Sequence, residues 1–166
     1  MMNASADPAA LGELMHTAFR GLRKRWMQQL APYELTPHQF RALSAVARAA
    51  SGVNGKEPGV NAKGPDGGQG LRLKELAERL HIAPRSATEV IDQLEGKGLV
   101  ERRPDPTDRR ASLLALTGAG ERLRETVLAD RRREADEFFS VLEPGDRAEL
   151  ARILGELAGD GHKQGS

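Results

Sequence analysis

No cysteine occurs among the 166 residues, which excludes disulfides, thiolate metal sites, thiol nucleophiles and thiol redox sensing in one step. Long apolar runs are missing too. The longest stretch without Asp, Glu, Lys or Arg is the ten residues Ala111 to Gly120, whereas a spanning helix needs about 20. The N-terminal MMNASADPAA has no basic segment followed by an apolar one, so no secretory signal is read there and the expectation is a cytoplasmic chain with no membrane partner. A charge excess is equally absent: 25 basic and 24 acidic residues leave +1, so any attraction to a polyanion must come from local placement. His16, His38, His81 and His162 are scattered, and no pair has the spacing of a zinc helix. With no nucleophile elbow and no paired metal ligands, neither an enzyme nor a metal or other cofactor is expected.

What is present is helical periodicity. Leu11, Leu14, Met15, Ala18, Leu22, Trp26 and Leu30 recur at steps of three and four, which predicts a helix over roughly 9–31 that Pro32 stops. Thr36-Pro37-His38-Gln39 opens the next helix, with Thr36 and Gln39 in capping-box register and Phe40, Leu43, Val46 and Ala47 as its buried face. Between residues 51 and 70, SGVNGKEPGVNAKGPDGGQG holds seven glycines and two prolines. It lacks both the Walker and the dinucleotide spacing, so it reads as a flexible loop.

Leu71-Arg72-Leu73 then gives a short strand. Leu76, Ala77 and Leu80 mark one short helix, and Ala87, Val90, Ile91 and Leu94 mark a second that Pro84 opens and Gly98 closes. Only His81-Ile82-Ala83 separates them, which is the spacing of a helix-turn-helix. His81 falls where a left-handed residue is often needed, a conformation that histidine tolerates. Leu99 to Arg103, a turn from Pro104 to Asp108, and Arg110 to Leu116 form a hairpin directly after it.

A helix-turn-helix whose second helix enters a major groove leaves such a hairpin over the adjacent minor groove, where negative potential is focused and arginine is the best-suited probe. Arg109 is the candidate probe. Arg110 is expected to brace the tip, its guanidinium held by Asp108 or by Asp105. On the second helix Arg85, Ser86, Thr88 and Glu89 lie away from Ala87, Val90 and Ile91 and are the candidate base and phosphate contacts, with Arg85 matched to a guanine edge. Lys74, Arg102 and Arg103 are candidate phosphate contacts. The run Arg131-Arg132-Arg133 is flanked by Asp130, Glu134, Asp136 and Glu137 and reads instead as a solvated, internally paired helix face.

The segment LKELAERLHIAPRSATEVIDQLEGKGLVERRPDPTDRRASLLALTGAG, with DPTDRR at its turn, resembles the winged helix-turn-helix of the multiple antibiotic resistance regulator (MarR) family. The order and length of the other helices are similar as well. Two features depart from the family pattern: Ala83 stands where many relatives carry serine, and the glycine-rich segment is long. The resemblance implies a ligand pocket, commonly for small aromatic acids, between the dimer helices and the reading head; His16, Arg20, Arg23, Trp26, His38 and Arg41 are its candidate lining.

A long helix begins at Thr117 and ends near Leu142, with Leu123, Val127, Ala135, Phe138, Phe139 and Leu142 as apolar points; at 1.5 Å per residue it spans about 40 Å. Pro144 starts a last helix with Leu150, Ile153, Leu154 and Leu157 on one side. Together with the first helix these present more apolar stripe than one chain buries, and a two-fold dimer is expected, as the family also implies. The fold class is therefore mainly α, an α+β winged helix-turn-helix with a two-stranded wing and a short third strand. Residues 1–8 and 159–166 are expected to be disordered, 9–35 and 117–158 to form dimerisation helices, and 36–116 to form the DNA-binding domain. The expected function is a dimeric regulator on a near-palindromic operator, a repressor released by a small ligand. The alternative is a winged-helix module that binds protein rather than DNA.

Overall fold

A computed structural model describes residues 7–51 and 70–160; the loop and tail expectations for 1–6, 52–69 and 161–166 lie outside them. The described elements are α1 (Pro8–Gln28), a 3-10 turn (Ala31–Tyr33), α2 (Pro37–Ser51), β1 (Leu71–Arg72), α3 (Leu73–Leu80), α4 (Pro84–Gly96), β2 (Val100–Pro104), β3 (Ser112–Leu116), α5 (Gly118–Phe139) and α6 (Pro144–Asp160). The winged-helix architecture is as expected. Its boundaries shift: α1 ends at Gln28 rather than near 31, Leu73 opens α3 instead of ending a strand, and α6 runs through 159–160.

The early end of α1 has a local cause. Pro32 sits inside the 3-10 turn, and Glu34 closes that turn with a left-handed φ of 53°. Leu35 then donates its N–H to the Leu30 carbonyl at 3.2 Å, and both leucines point into the core. At α2 the capping box forms as read: Thr36 N–H donates to Gln39 Oε1 at 2.9 Å and Gln39 N–H to Thr36 Oγ1 at 3.2 Å.

α2 is buried on more than one face, from Gln39 through Val46. The small residues Ala42, Ser44 and Ala45 let neighbouring elements approach it closely. Phe40, Leu43 and Val46 meet Leu71, Leu76, Leu80, Ile91, Leu94, Val100, Leu114 and Val127 in one cluster. Ser44 Oγ is buried there without a hydrogen-bond partner. Ser44→Ala removes that unpaired hydroxyl and adds helix propensity, so it is expected to stabilise the fold by about 1 kcal/mol. A thermal melt that falls instead would show the hydroxyl to be bonded.

The sheet has the order β1-β3-β2, antiparallel throughout. Val100 pairs with Leu116, Arg102 with Leu114 and Pro104 with Ser112 in one ladder; Arg72 pairs with Leu113 in the other. Leu114 and Leu116 alternate inward along β3, the period of a strand with one covered face.

The chain divides into two compact units, Met27–Ala129 and a second comprising the chain up to Trp26 and from Asp130 on. The core cluster belongs to the first. In the second, Arg25 reaches Glu134 at 3.4 Å and lies 5.8 Å from the Phe138 ring centre, while the Arg131 guanidinium lies 5.5 Å from the Trp26 ring. Within the arginine run Arg133 pairs with Asp130 as expected, whereas Arg131 is half-buried over Trp26 rather than solvated.

Candidate nucleic-acid interface

α4 starts at Pro84, whose missing N–H costs nothing at a first helical position. Ala83 precedes it in extended conformation with no side-chain cap. The turn between α3 and α4 pivots on His81, at φ 52°, and its tightness is sealed by Ile82 N–H donating to the Ala77 carbonyl at 3.1 Å. Ala87, Ile91 and Leu94 face the core. Arg85, Ser86 and Glu89 consequently face out, with the Arg85 side chain 92% exposed and only a loose 3.4 Å contact to Glu89. Thr88 is half-buried and turns its hydroxyl back to the Pro84 carbonyl at 3.0 Å.

The opposite end of α4 is fixed. Gly98, at φ 68°, allows Gly98 N–H to bond the Glu95 carbonyl at 2.9 Å and Leu99 N–H the Leu94 carbonyl at 3.0 Å, a Schellman closure. Gln39 Nε2 donates to Gln93 Oε1 at 2.8 Å, and Lys97 Nζ donates to the Glu34 carbonyl at 2.5 Å. Arg102, expected on a phosphate, is occupied elsewhere: it bonds Asp92 at 2.6 Å and Glu95, tying β2 to α4. Two acids one helical turn apart share its guanidinium. Arg103 is exposed and pairs with Glu101 at 2.5 Å; Lys74 is exposed on α3.

At the wing, Asp105 is only 6% exposed. Its Oδ1 accepts from Thr107 N–H at 2.8 Å and Thr107 Oγ1 at 2.7 Å, and its Oδ2 from Arg72 Nε at 2.9 Å and Arg72 Nη2 at 2.5 Å. This corrects the expected brace. Asp105 grips Arg72 rather than Arg110, because its four bonds leave no acceptor over. Asp108 accepts the backbone N–H of Arg110 at 3.0 Å rather than its guanidinium. Arg109 and Arg110 are exposed, and among the described residues neither guanidinium is drawn into an ion pair.

The Thr107 hydroxyl first, then the Thr107 N–H and Arg72, hold the Asp105 carboxyl down to about 2 against the opposing effect of burial. The folded state thus binds this proton less readily than the unfolded chain does. Its stabilising contribution is complete above about pH 4 and drains away as pH falls toward 2. Asp105→Asn is expected to lower stability at neutral pH and to flatten the acid limb in that window, read by urea titrations at stepped pH. Parallel limbs would remove Asp105 from the linkage.

The six candidate ligand residues divide between the units. His16, Arg20 and Arg23 are exposed on α1 and Trp26 is half-buried beside Arg131, its Nε1 unpartnered; His38 and Arg41 belong to α2 in the other unit. Sequence reasoning missed Arg72, Gln39 with Gln93, and the two acids on Arg102. Only Glu75, three residues after Arg72 and bonded to its N–H at 2.9 Å, offered a capping-box signal at that position.

Residues 68–112, which carry this helix-turn-helix and most of the wing, match the model of the MarR family. The HTH-type transcriptional repressor MdtR of Bacillus subtilis is 26% identical over 144 residues, 87% of this chain and 81% of MdtR. The multiple antibiotic resistance protein MarR of Escherichia coli is 28% identical over 110 residues, 66% of this chain and 63% of that protein. Over residues 68–112 the chain is similar to the MarR family. A crystal structure of a cysteine-to-serine mutant of E. coli MarR superposes on this chain with a TM-score of 0.70 at 25% identity, covering 89% of this chain and 96% of that one. The same mutant complexed with operator DNA gives 0.60 at 25% identity, over 89% and 92%. MdtR is a transcriptional repressor by name, and the E. coli MarR mutant is crystallised on operator DNA.

Proposed function

We propose that the protein is a DNA-binding transcriptional regulator that acts as a two-fold dimer. The observation that carries this reading is a division of labour on one small domain. The inner face and C-terminal end of α4 are locked to the core and to β2, while the outer residues Arg85, Ser86 and Glu89 at its N-terminal end and the wing arginines stay exposed. Arg85, Ser86, Thr88 and Glu89 then face the major groove, and Arg109 enters the minor groove. Lys74 and Arg103 contact phosphate, and Arg102 contributes by holding α4. Two such heads related by a two-fold axis demand a near-palindromic operator with half-sites about one helical turn apart.

The MdtR and operator-complex relatives support repression through DNA. The cationic and aromatic residues of α1, His16, Arg20, Arg23 and Trp26, support a small aromatic acid as the releasing ligand. Calorimetry with phenolic carboxylates tests that arm, and absence of both heat and DNA release ends it.

Selection of bound duplexes from a random pool tests the main reading. A two-fold motif is expected, with affinity falling steeply as salt rises. No enrichment would leave a protein-binding module in its place. On the selected site, Arg109→Ala is expected to weaken binding by about tenfold or more with the fold intact. Unchanged affinity in a mobility-shift titration would remove Arg109 from the groove.

A further inference from the structure

We propose that Arg72, outside the wing and outside the recognition helix, is a positioning residue that sets the wing before DNA arrives. The inference rests on the minor-groove reading above and names the group that makes it work.

A two-stranded ribbon is marginal by itself. The β2–β3 ladder ends at Pro104 opposite Ser112, and the connection beyond carries Arg109 and Arg110. That connection is closed at its base by Asp105 N–H on the Ala111 carbonyl at 3.2 Å. What fixes Asp105 is not a wing residue alone. Thr107 supplies two of its bonds from within the turn, and Arg72 supplies the other two from β1, across the sheet from β2.

Arg72 is itself well anchored. Its backbone pairs with Leu113, one residue from the start of β3, and its N–H bonds Glu75 in the first turn of α3. The pair therefore ties the wing turn to the helix-turn-helix rather than to the hairpin only. Asp108 and Glu75 add further attraction on the guanidinium. The carboxylate is buried while the Arg72 side chain stays 41% exposed, the arrangement of a clamp whose target is the acid.

The consequence for binding is pre-organisation. With Asp105 saturated, Arg109 and Arg110 are presented without competition from that acid, and the entropy of ordering the turn is spent during folding rather than on contact with DNA. Arg72 thereby raises affinity through Arg109 without touching the duplex.

Titrations of the selected operator with wild type, Arg72→Gln, Arg109→Ala and the double variant test this. Arg72→Gln is expected to cost about tenfold, and the double variant to bind within about twofold of Arg109→Ala, because a residue acting through another adds nothing once that other is gone. Arg72→Lys, which keeps a cation in reach of Asp105, is expected to recover part of the loss. Losses that multiply in the double variant would mean a direct phosphate contact or general damage and would overturn the proposal. So would wild-type affinity in Arg72→Gln while Arg109→Ala binds weakly, and in that case the wing reading survives. Arg109→Ala without effect overturns both. Should Arg72→Gln fail to fold, Asp105→Asn repeats the cycle from the other partner with the same expected and opposing outcomes.

Discussion

Replacing Gly120 with alanine is expected to destabilise the protein by about 3 kcal/mol or more, the range reached when an inserted group meets atoms that cannot rotate away. A Cβ at this position would lie 2.0 Å from the Leu99 carbonyl oxygen and 3.0 Å from its carbon. Those are backbone atoms, and they are already committed. Leu99 leaves the Schellman closure of α4, and its carbonyl accepts Thr117 N–H at 3.1 Å. Thr117 in turn caps α5, taking Gly120 N–H on its hydroxyl oxygen at 3.1 Å and donating that hydroxyl to the Gly98 carbonyl at 2.6 Å. One junction thus joins the end of α4, the start of β2 and the start of α5, and the missing side chain is what lets them meet. Gly96→Ala is the control: nothing lies within 4 Å of its added carbon, and helix propensity favours alanine by up to about 1 kcal/mol. Urea denaturation of the pair decides the matter; equal midpoints would mean that the junction yields without cost.

The features that could be read in advance are those decided by residues close in sequence. The Thr36–Gln39 box, the left-handed His81 and the closure at Gly98 are each made by groups within about five residues, so local stereochemistry is sufficient to forecast them. The buried faces of α3 and α4 followed from periodicity for the same reason. What escaped was pairing between distant polar groups. Gln39 meets Gln93 across 54 positions and Arg72 meets Asp105 across 33, and no local rule ranks Arg72 above Arg110 as the partner of Asp105. Arg102 shows the other side of this. Its charge suggested phosphate, but Asp92 and Glu95, one turn apart on a helix packed against its strand, take it first. A cation becomes available to DNA only after the acids within its reach have been counted, and that count is three-dimensional.

The helices outside the head make the second large prediction. Among the described residues neither α1 nor α6 buries a side chain, although Leu11, Leu14, Met15 and Phe19 on α1 and Ile153, Leu154 and Leu157 on α6 follow a helical stripe. Helices of 21 and 17 residues with an apolar face in water owe little stability to propensity and require packing of that face. A second copy of the chain is the occupant that the proposed symmetric operator requires. Leu14 is 67% exposed and Leu157 60%, so both are available to it. Burying a leucine contributes roughly 1.5 to 3 kcal/mol, and a two-fold interface loses each contact twice, so Leu14→Glu combined with Leu157→Glu removes on the order of 6 to 12 kcal/mol before the cost of burying four carboxylates is added. That is comparable to the whole free energy of a nanomolar dimer, about 12 kcal/mol. Sedimentation is therefore expected to give a monomer at micromolar concentration. Operator affinity is expected to fall by more than about a hundredfold, because one head alone cannot engage two half-sites at once. A variant that still sediments as a dimer would place the interface elsewhere, while a monomer that binds the selected palindrome as tightly as wild type would show that a single head reads the site and that the symmetry of the operator is not imposed by the protein.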